Sequence, residues 1–123
     1  MTVLSDFVVV NTLPEGAPGK WKSQPFETGG RLPGGEDQYN AYLTLVLTTP
    51  SGGADVEVRP IVNGHTFQSL IAVKANSRRT EVAAFPASFL SAATGNHNVI
   101  ELHSVGEKYF NVMHVICHFR QNS

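Results

Sequence analysis

The run Ala41-Tyr42-Leu43-Thr44-Leu45-Val46-Leu47-Thr48 alternates between two kinds of position. In an extended chain, successive side chains point to opposite faces. Ala41, Leu43, Leu45 and Leu47 therefore share one face, and Tyr42, Thr44, Val46 and Thr48 share the other. One face is apolar and the other mixed, as expected for a strand with one side in a core. A helix would spread these residues around its whole circumference.

The same pattern recurs downstream. Pro50-Ser51-Gly52-Gly53 turns the chain, after which Val56, Val58 and Val62 are spaced among Asp55, Glu57 and Arg59. Pro60 predicts an edge or a bulge, because proline cannot donate to a strand ladder. Asn63-Gly64 predicts a tight hairpin, since both residues tolerate positive φ. Phe67 to Val73 is then the return strand, Asn76 to Arg79 a turn, and Thr80 to Phe85 another strand. Ala87-Ser88-Phe89-Leu90 can form one helical turn, broken by Thr94-Gly95-Asn96. Val99 to His103 and Tyr109 to Phe119 complete the strands, with Val105-Gly106-Glu107 turning between them.

Upstream, Phe7-Val8-Val9-Val10 is a short β-branched run. Residues 13–37 follow, with four prolines (14, 18, 25, 33) and six glycines (16, 19, 29, 30, 34, 35). That density reads as one long connection, and loops of such length are often functional. No segment shows the spacing of an amphipathic helix. The expectation is an all-β, antiparallel two-sheet sandwich, jelly-roll-like, with about seven to eight strands. It is expected to form one domain over residues 1–123, with Leu43, Leu45, Leu47, Ile100 and Leu102 in the core.

The chain has 123 residues, 41% hydrophobic and 15% charged, with net charge −1. Such neutrality gives no electrostatic footprint for nucleic acid or an anionic membrane. The single cysteine, Cys117, excludes an internal disulfide. The start, Met-Thr-Val-Leu-Ser-Asp, lacks the basic and apolar regions of a signal peptide. No apolar run reaches the roughly 18 residues of a membrane helix, so the cytoplasm is the default expectation.

Three further stretches carry a resemblance. They are Val58-Arg59-Pro60-Ile61-Val62-Asn63-Gly64, Phe85-Pro86-Ala87-Ser88-Phe89-Leu90 and Gly95-Asn96-His97-Asn98-Val99-Ile100-Glu101-Leu102. In this order they resemble the galactose-binding-like jelly rolls, the fold of many carbohydrate-binding modules. The likeness covers the C-terminal half. It implies a jelly roll and a sugar ligand, with Asn98 satisfying backbone groups where its strand begins.

Chemistry-bearing residues are sparse. His114 and His118 share an H-x3-H spacing, but on a strand they lie about 13 Å apart, too far to share one ion; His103 could approach them from a neighbouring strand, in a register the sequence does not fix. Cys117 falls in an apolar row with Tyr109, Met113, Val115 and Phe119, the setting of an inert buried thiol. Ser88 lacks the glycines of a nucleophile elbow. Glu36-Asp37, Asp55-Glu57 and Glu101-Glu107 show no derivable pairing for glycosidase chemistry. Neither a metal nor a cofactor is expected.

Binding is more legible. Sugar rings stack their C–H faces on flat side chains, while amides, carboxylates and guanidinium groups read the hydroxyls. Lys20-Trp21-Lys22-Ser23-Gln24, Asp37-Gln38-Tyr39-Asn40 and Tyr42 have that mixture. The expected ligand residues are Trp21, Gln24, Asp37, Tyr39, Asn40 and Tyr42; alternatively, Trp21 staples the long connection to the sandwich. The leading expectation is a non-catalytic module for carbohydrate or a similar small polar ligand. An alternative is a structural protein assembling into a homo-oligomer or virion-like particle, and a weaker one a small β-barrel enzyme. Self-association is expected because the last strand reads as apolar on both faces: Tyr109, Met113, Val115 and Phe119 oppose Phe110, Val112 and Ile116.

Overall fold

A computed structural model describes residues 3–28, 41–50, 52–91 and 95–122, with side chains from 7 to 120. Ten strand segments are present among them: β1 (Val3–Asn11), β2 (Glu15–Pro18), β3 (Lys20–Lys22), β4 (Ala41–Thr48), β5 (Val56–Val62), β6 (His65–Thr66), β7 (Ile71–Val73), β8 (Arg78–Phe85), β9 (Ile100–Ser104) and β10 (Tyr109–Asn122). The described residues include no α-helix, only the single turns Ala87–Phe89 and Val105–Glu107.

Two antiparallel sheets result. The first runs β1-β10-β4-β8, with β2 continuing the β1 edge along β10. The second runs β3-β9-β5, with β6 and β7 both pairing with β5. Counting each interrupted edge as one strand leaves eight, four per sheet. Their pairing is nested: first with last, β3 with β9, β4 with β8, and β5 with β6 and β7. An antiparallel ribbon wrapped in this way is a jelly roll.

The Gly/Pro-rich segment is not wholly a connection. Residues 15–18 and 20–22 are strands at sheet edges, where proline and glycine are tolerated. Gly19, at φ +103°, turns the chain out of the first sheet and into the second. Trp21 then pairs with Leu102, and its side chain enters the core at 5% exposure. A Cβ on Gly16 would collide with the Tyr109 hydroxyl.

Pro60 lies on neither an edge nor a bulge. It sits inside β5, opposite the gap between β6 and β7, where no strand asks for its missing N–H. The expected return strand is broken at the same place. Phe67 bridges the gap, its N–H donating to the Pro60 carbonyl at 3.0 Å. Asn63 (φ 49°) and Gly64 (φ 82°) form the hairpin as their dipeptide predicts.

The core fills from both inner faces. Leu43, Leu45, Leu47, Ile100 and Leu102 are buried, with Phe85, Phe110 and Phe119 among the largest enclosed side chains. A bulge at Met113 corrects the expected pattern of the last strand. Val112 faces Leu47 and His114 faces Val46, so Met113 is the extra residue. Before the bulge, Phe110 and Val112 point inward; after it, Val115, Cys117 and Phe119 do. Tyr109 is consequently exposed. The strand places its apolar residues mostly on one side, which removes the two-sided argument for self-association.

Candidate functional site

The outer face of the first sheet carries a row of rings formed by strict cross-strand register. Phe7 of β1 faces His118 of β10, His118 faces Tyr42 of β4, and Tyr42 faces Ala84 of β8. Tyr42 and His118 stack with centroids 4.3 Å apart and planes 11° from parallel. Phe7 approaches the same imidazole at 6.0 Å. Thr44 Oγ1 lies 3.2 Å from His118 Nε2, hydrogen-bonded to it, which fixes the ring's rotation. Partial burial among these groups lowers the His118 pKa from its ordinary 6.5, favouring the neutral imidazole.

The row is open to solvent. Phe7 is 58% exposed and Tyr42 is 40% exposed. A second row beside it runs Val9, Ile116, Thr44, Val82. Alternation of strand side chains makes both rows face outward, while Leu43 and Leu45 fill the core beneath. The result is an aromatic row bordered by Thr44, with His114, Val46 and Thr80 forming the row beyond Ile116 and Val82.

The expected ligand residues divide. Tyr42 lies in this row, stacked on His118 and opposite Ala84. Trp21 is buried against the second sheet, where its Nε1–H donates to Glu15 Oε2 at 3.2 Å. Gln24 is exposed but follows β3 on the second sheet, away from Tyr42. Asp37, Tyr39 and Asn40 lie outside the described residues. The sequence reasoning missed His118 and Phe7. Only register between β1, β10 and β4 brings them beside Tyr42, and no local motif announces it.

Other chemistry does not converge. His103 belongs to the second sheet, 3.4 Å from Glu101, so it cannot join His114 and His118 on the first. Among the described residues, no three histidine, cysteine, aspartate or glutamate side chains cluster to hold a metal. Cys117 is fully buried, and desolvation pushes its thiol pKa up to about 12, which suppresses the nucleophilic thiolate. No helix among the described residues is long and apolar enough to cross a membrane.

A second concavity opens on the opposite side of β8. It is a cavity of about 340 Å³ between the Glu81–Phe85 edge of the first sheet and the Thr66–Ile71 segment of the second. Phe67, Phe85 and Phe89 form its floor, with centroids 5.3 to 6.2 Å apart. His65 stacks on Phe89 at 4.4 Å. Asn63 Nδ2 donates to the Phe89 carbonyl at 2.8 Å and to Asn98 Oδ1 at 2.9 Å. The pair of asparagines thereby fixes the Phe89 end of the floor.

No family model matches the sequence, and no curated protein matches it either. Solved structures do match in shape. One is a sugar-binding protein, the EclA C-terminal domain, at 15% identity and TM-score 0.52, covering 94% of this chain and 79% of that one. Another is a family 35 carbohydrate-binding module from Clostridium thermocellum, at 12% identity and TM-score 0.47, covering 94% and 90%. At these identities the likeness is one of fold alone.

Proposed function

We propose that this chain is a non-catalytic binding module for a neutral carbohydrate or similar small polar ligand, held on the outer face of the first sheet. The observation that supports this most is the exposed ring row Phe7–His118–Tyr42. Tyr42 and His118 stack on each other, which leaves the Tyr42 face on the Ala84 side for the C–H face of a sugar. Thr44 stands beside them to meet a hydroxyl. Asp37, Tyr39 and Asn40 shortly precede Tyr42 in sequence and are proposed as further hydroxyl readers. The EclA C-terminal domain, of like fold, bears a sugar-binding description, which agrees with the reading.

Glycan titration followed by calorimetry tests it. Tyr42→Ala should weaken binding by about 1–2 kcal/mol, roughly 5- to 30-fold, through lost stacking. Binding should vary little with salt, since neutral hydroxyls rather than charges are read. Trp21→Ala should leave affinity unchanged in the folded fraction. A broad panel with no binder, or a Tyr42→Ala variant of full affinity, would refute the site.

A second reading rests on the same face. Phe7 and Val9 on β1 and Val82 on β8 are large apolar side chains exposed on this one face, at its two edges, and exposed apolar faces also mark protein contacts. A second copy of the chain is the proposed alternative occupant. Light scattering at high concentration, with Phe7→Ser as control, separates a dimer from a monomer.

A further inference from the structure

We infer that the cavity between β8 and the Thr66–Ile71 segment is a second ligand site, separate from the ring row, for a small neutral ring that carries a hydroxyl group. Its size is the first argument. At about 340 Å³ it lies at the lower end of small-ligand pockets, roughly 300–1,000 Å³. A packing defect that holds one water is about tenfold smaller.

The lining sets the ligand's chemistry. The floor is three phenyl rings, and Pro60 and Pro86 extend the apolar surface. A C–H-rich or aromatic ring fits that surface. Hydrogen bonding comes from the rim: Gln68 and Ser69 are exposed there, and β8 is the last strand of its sheet. Among the described residues β8 pairs only with β4, and alternate backbone groups along its other edge point away from β4. These donors and acceptors suit a hydroxyl.

Charge narrows the class further. Among the described lining residues, Glu81 is the only ionisable side chain. Its carboxylate is held by Arg79, whose Nε donates to it at 2.9 Å and whose Nη1 donates to the Ala72 carbonyl at 3.0 Å. The guanidinium is therefore occupied, and the residue whose carboxylate it holds is part of the lining. An anion gains no partner and meets a like charge. Two sources share the favoured chemistry: a deoxy sugar and an aromatic alcohol.

Amide chemical-shift titrations of the ¹⁵N-labelled chain distinguish them, using methyl α-L-fucopyranoside and benzyl alcohol as probes and benzoate as the anionic control. At least one neutral probe should shift the amides of Gln68–Ile71 and Glu81–Phe85 saturably, and benzoate should bind at least about fivefold more weakly. Ala83→Leu, which adds bulk to the lining, should abolish these shifts. If that variant does not fold, Glu81→Gln serves instead: freeing Arg79 should raise benzoate affinity above that of the wild type. The inference is independent of the sugar reading at Tyr42, so Tyr42→Ala should leave the cavity shifts unchanged. Absence of saturable shifts with both neutral probes would overturn it. So would equal binding of benzoate, unchanged binding in the folded Ala83→Leu variant, unchanged benzoate affinity in Glu81→Gln, or loss of the shifts in Tyr42→Ala.

Discussion

Replacing Asn98 by leucine tests whether one buried amide ties three segments of the fold together. Asn98 is fully enclosed at the start of the β9 region. Its Oδ1 accepts from the Ser91 N–H at 2.7 Å and from Asn63 Nδ2 at 2.9 Å. Its Nδ2 donates to the carbonyls of Ser91 at 3.0 Å and Phe26 at 3.3 Å. Leucine keeps the same number and branching of side-chain heavy atoms, so no cavity opens and the polar terms dominate, with some overpacking from its bulkier methyl groups. Four net hydrogen bonds at roughly 0.5–1.5 kcal/mol each set an upper range of about 2–6 kcal/mol. Three of the partners keep another bond, however. The Phe26 carbonyl still accepts the Asn98 backbone N–H, the Ser91 carbonyl still accepts Thr28 Oγ1, and Asn63 still donates to Phe89. The expected loss is therefore at the lower end, about 2–4 kcal/mol. Urea denaturation followed by circular dichroism measures it, with exposed Asn96→Leu as control at under about 0.5 kcal/mol. A loss below about 1 kcal/mol for Asn98→Leu would show that the amide fills space rather than holding the segments.

Trp21→Ala should cost about 3–5 kcal/mol of stability by opening the core beside Leu102, and a melt that matches wild type would contradict its burial. Leu45→Ala should cost roughly 2–5 kcal/mol, read by the same denaturation. Cys117 should resist a thiol reagent at pH 8 in the folded chain and react at once in denaturant, because its pKa of about 12 leaves almost no thiolate; fast labelling of the native chain would refute this. The folded-state pKa of His118 is lowered, so the unfolded state binds more protons as pH falls below about 6.5. Its contribution is thus fully present above that pH and lost progressively below it. The melting temperature should fall from pH 7 to pH 5, and less so in His118→Gln.

Strands whose two faces differ were legible from sequence. β4 declares itself through Leu43, Leu45 and Leu47 against Thr44 and Thr48, and β9 through Ile100 and Leu102 against Glu101 and His103. The Asn63-Gly64 turn is equally local. Three features were hidden because they depend on partners far along the chain. Pro18 and Gly19 look like loop residues until an edge position and a sheet crossing give them a role. Met113 looks like any odd-numbered residue of its row until Leu47 and Val46 reveal the bulge. The candidate site shares this limit: Tyr42 could be picked by its chemistry, whereas His118 and Phe7 join it only through pairing of strands from opposite ends of the sequence. Trp21, chosen by the same chemistry, carries most of its surface inward because β3 continues the second sheet.

The pairing of the first strand with the last sets where the chain's ends lie. Val3 stands directly opposite Asn122 in the β1–β10 ladder, so their Cα atoms are about 5 Å apart. Linking the two ends by a short loop and opening the chain at an exposed turn, such as Gly106-Glu107, should give a circular permutant with the same nested sheets. Joined at both ends to other chains, the sandwich would hang to one side of the line between them rather than lengthen it. Tension applied through those ends would peel β1 from β10 one hydrogen bond at a time, an unzipping geometry that yields at low force.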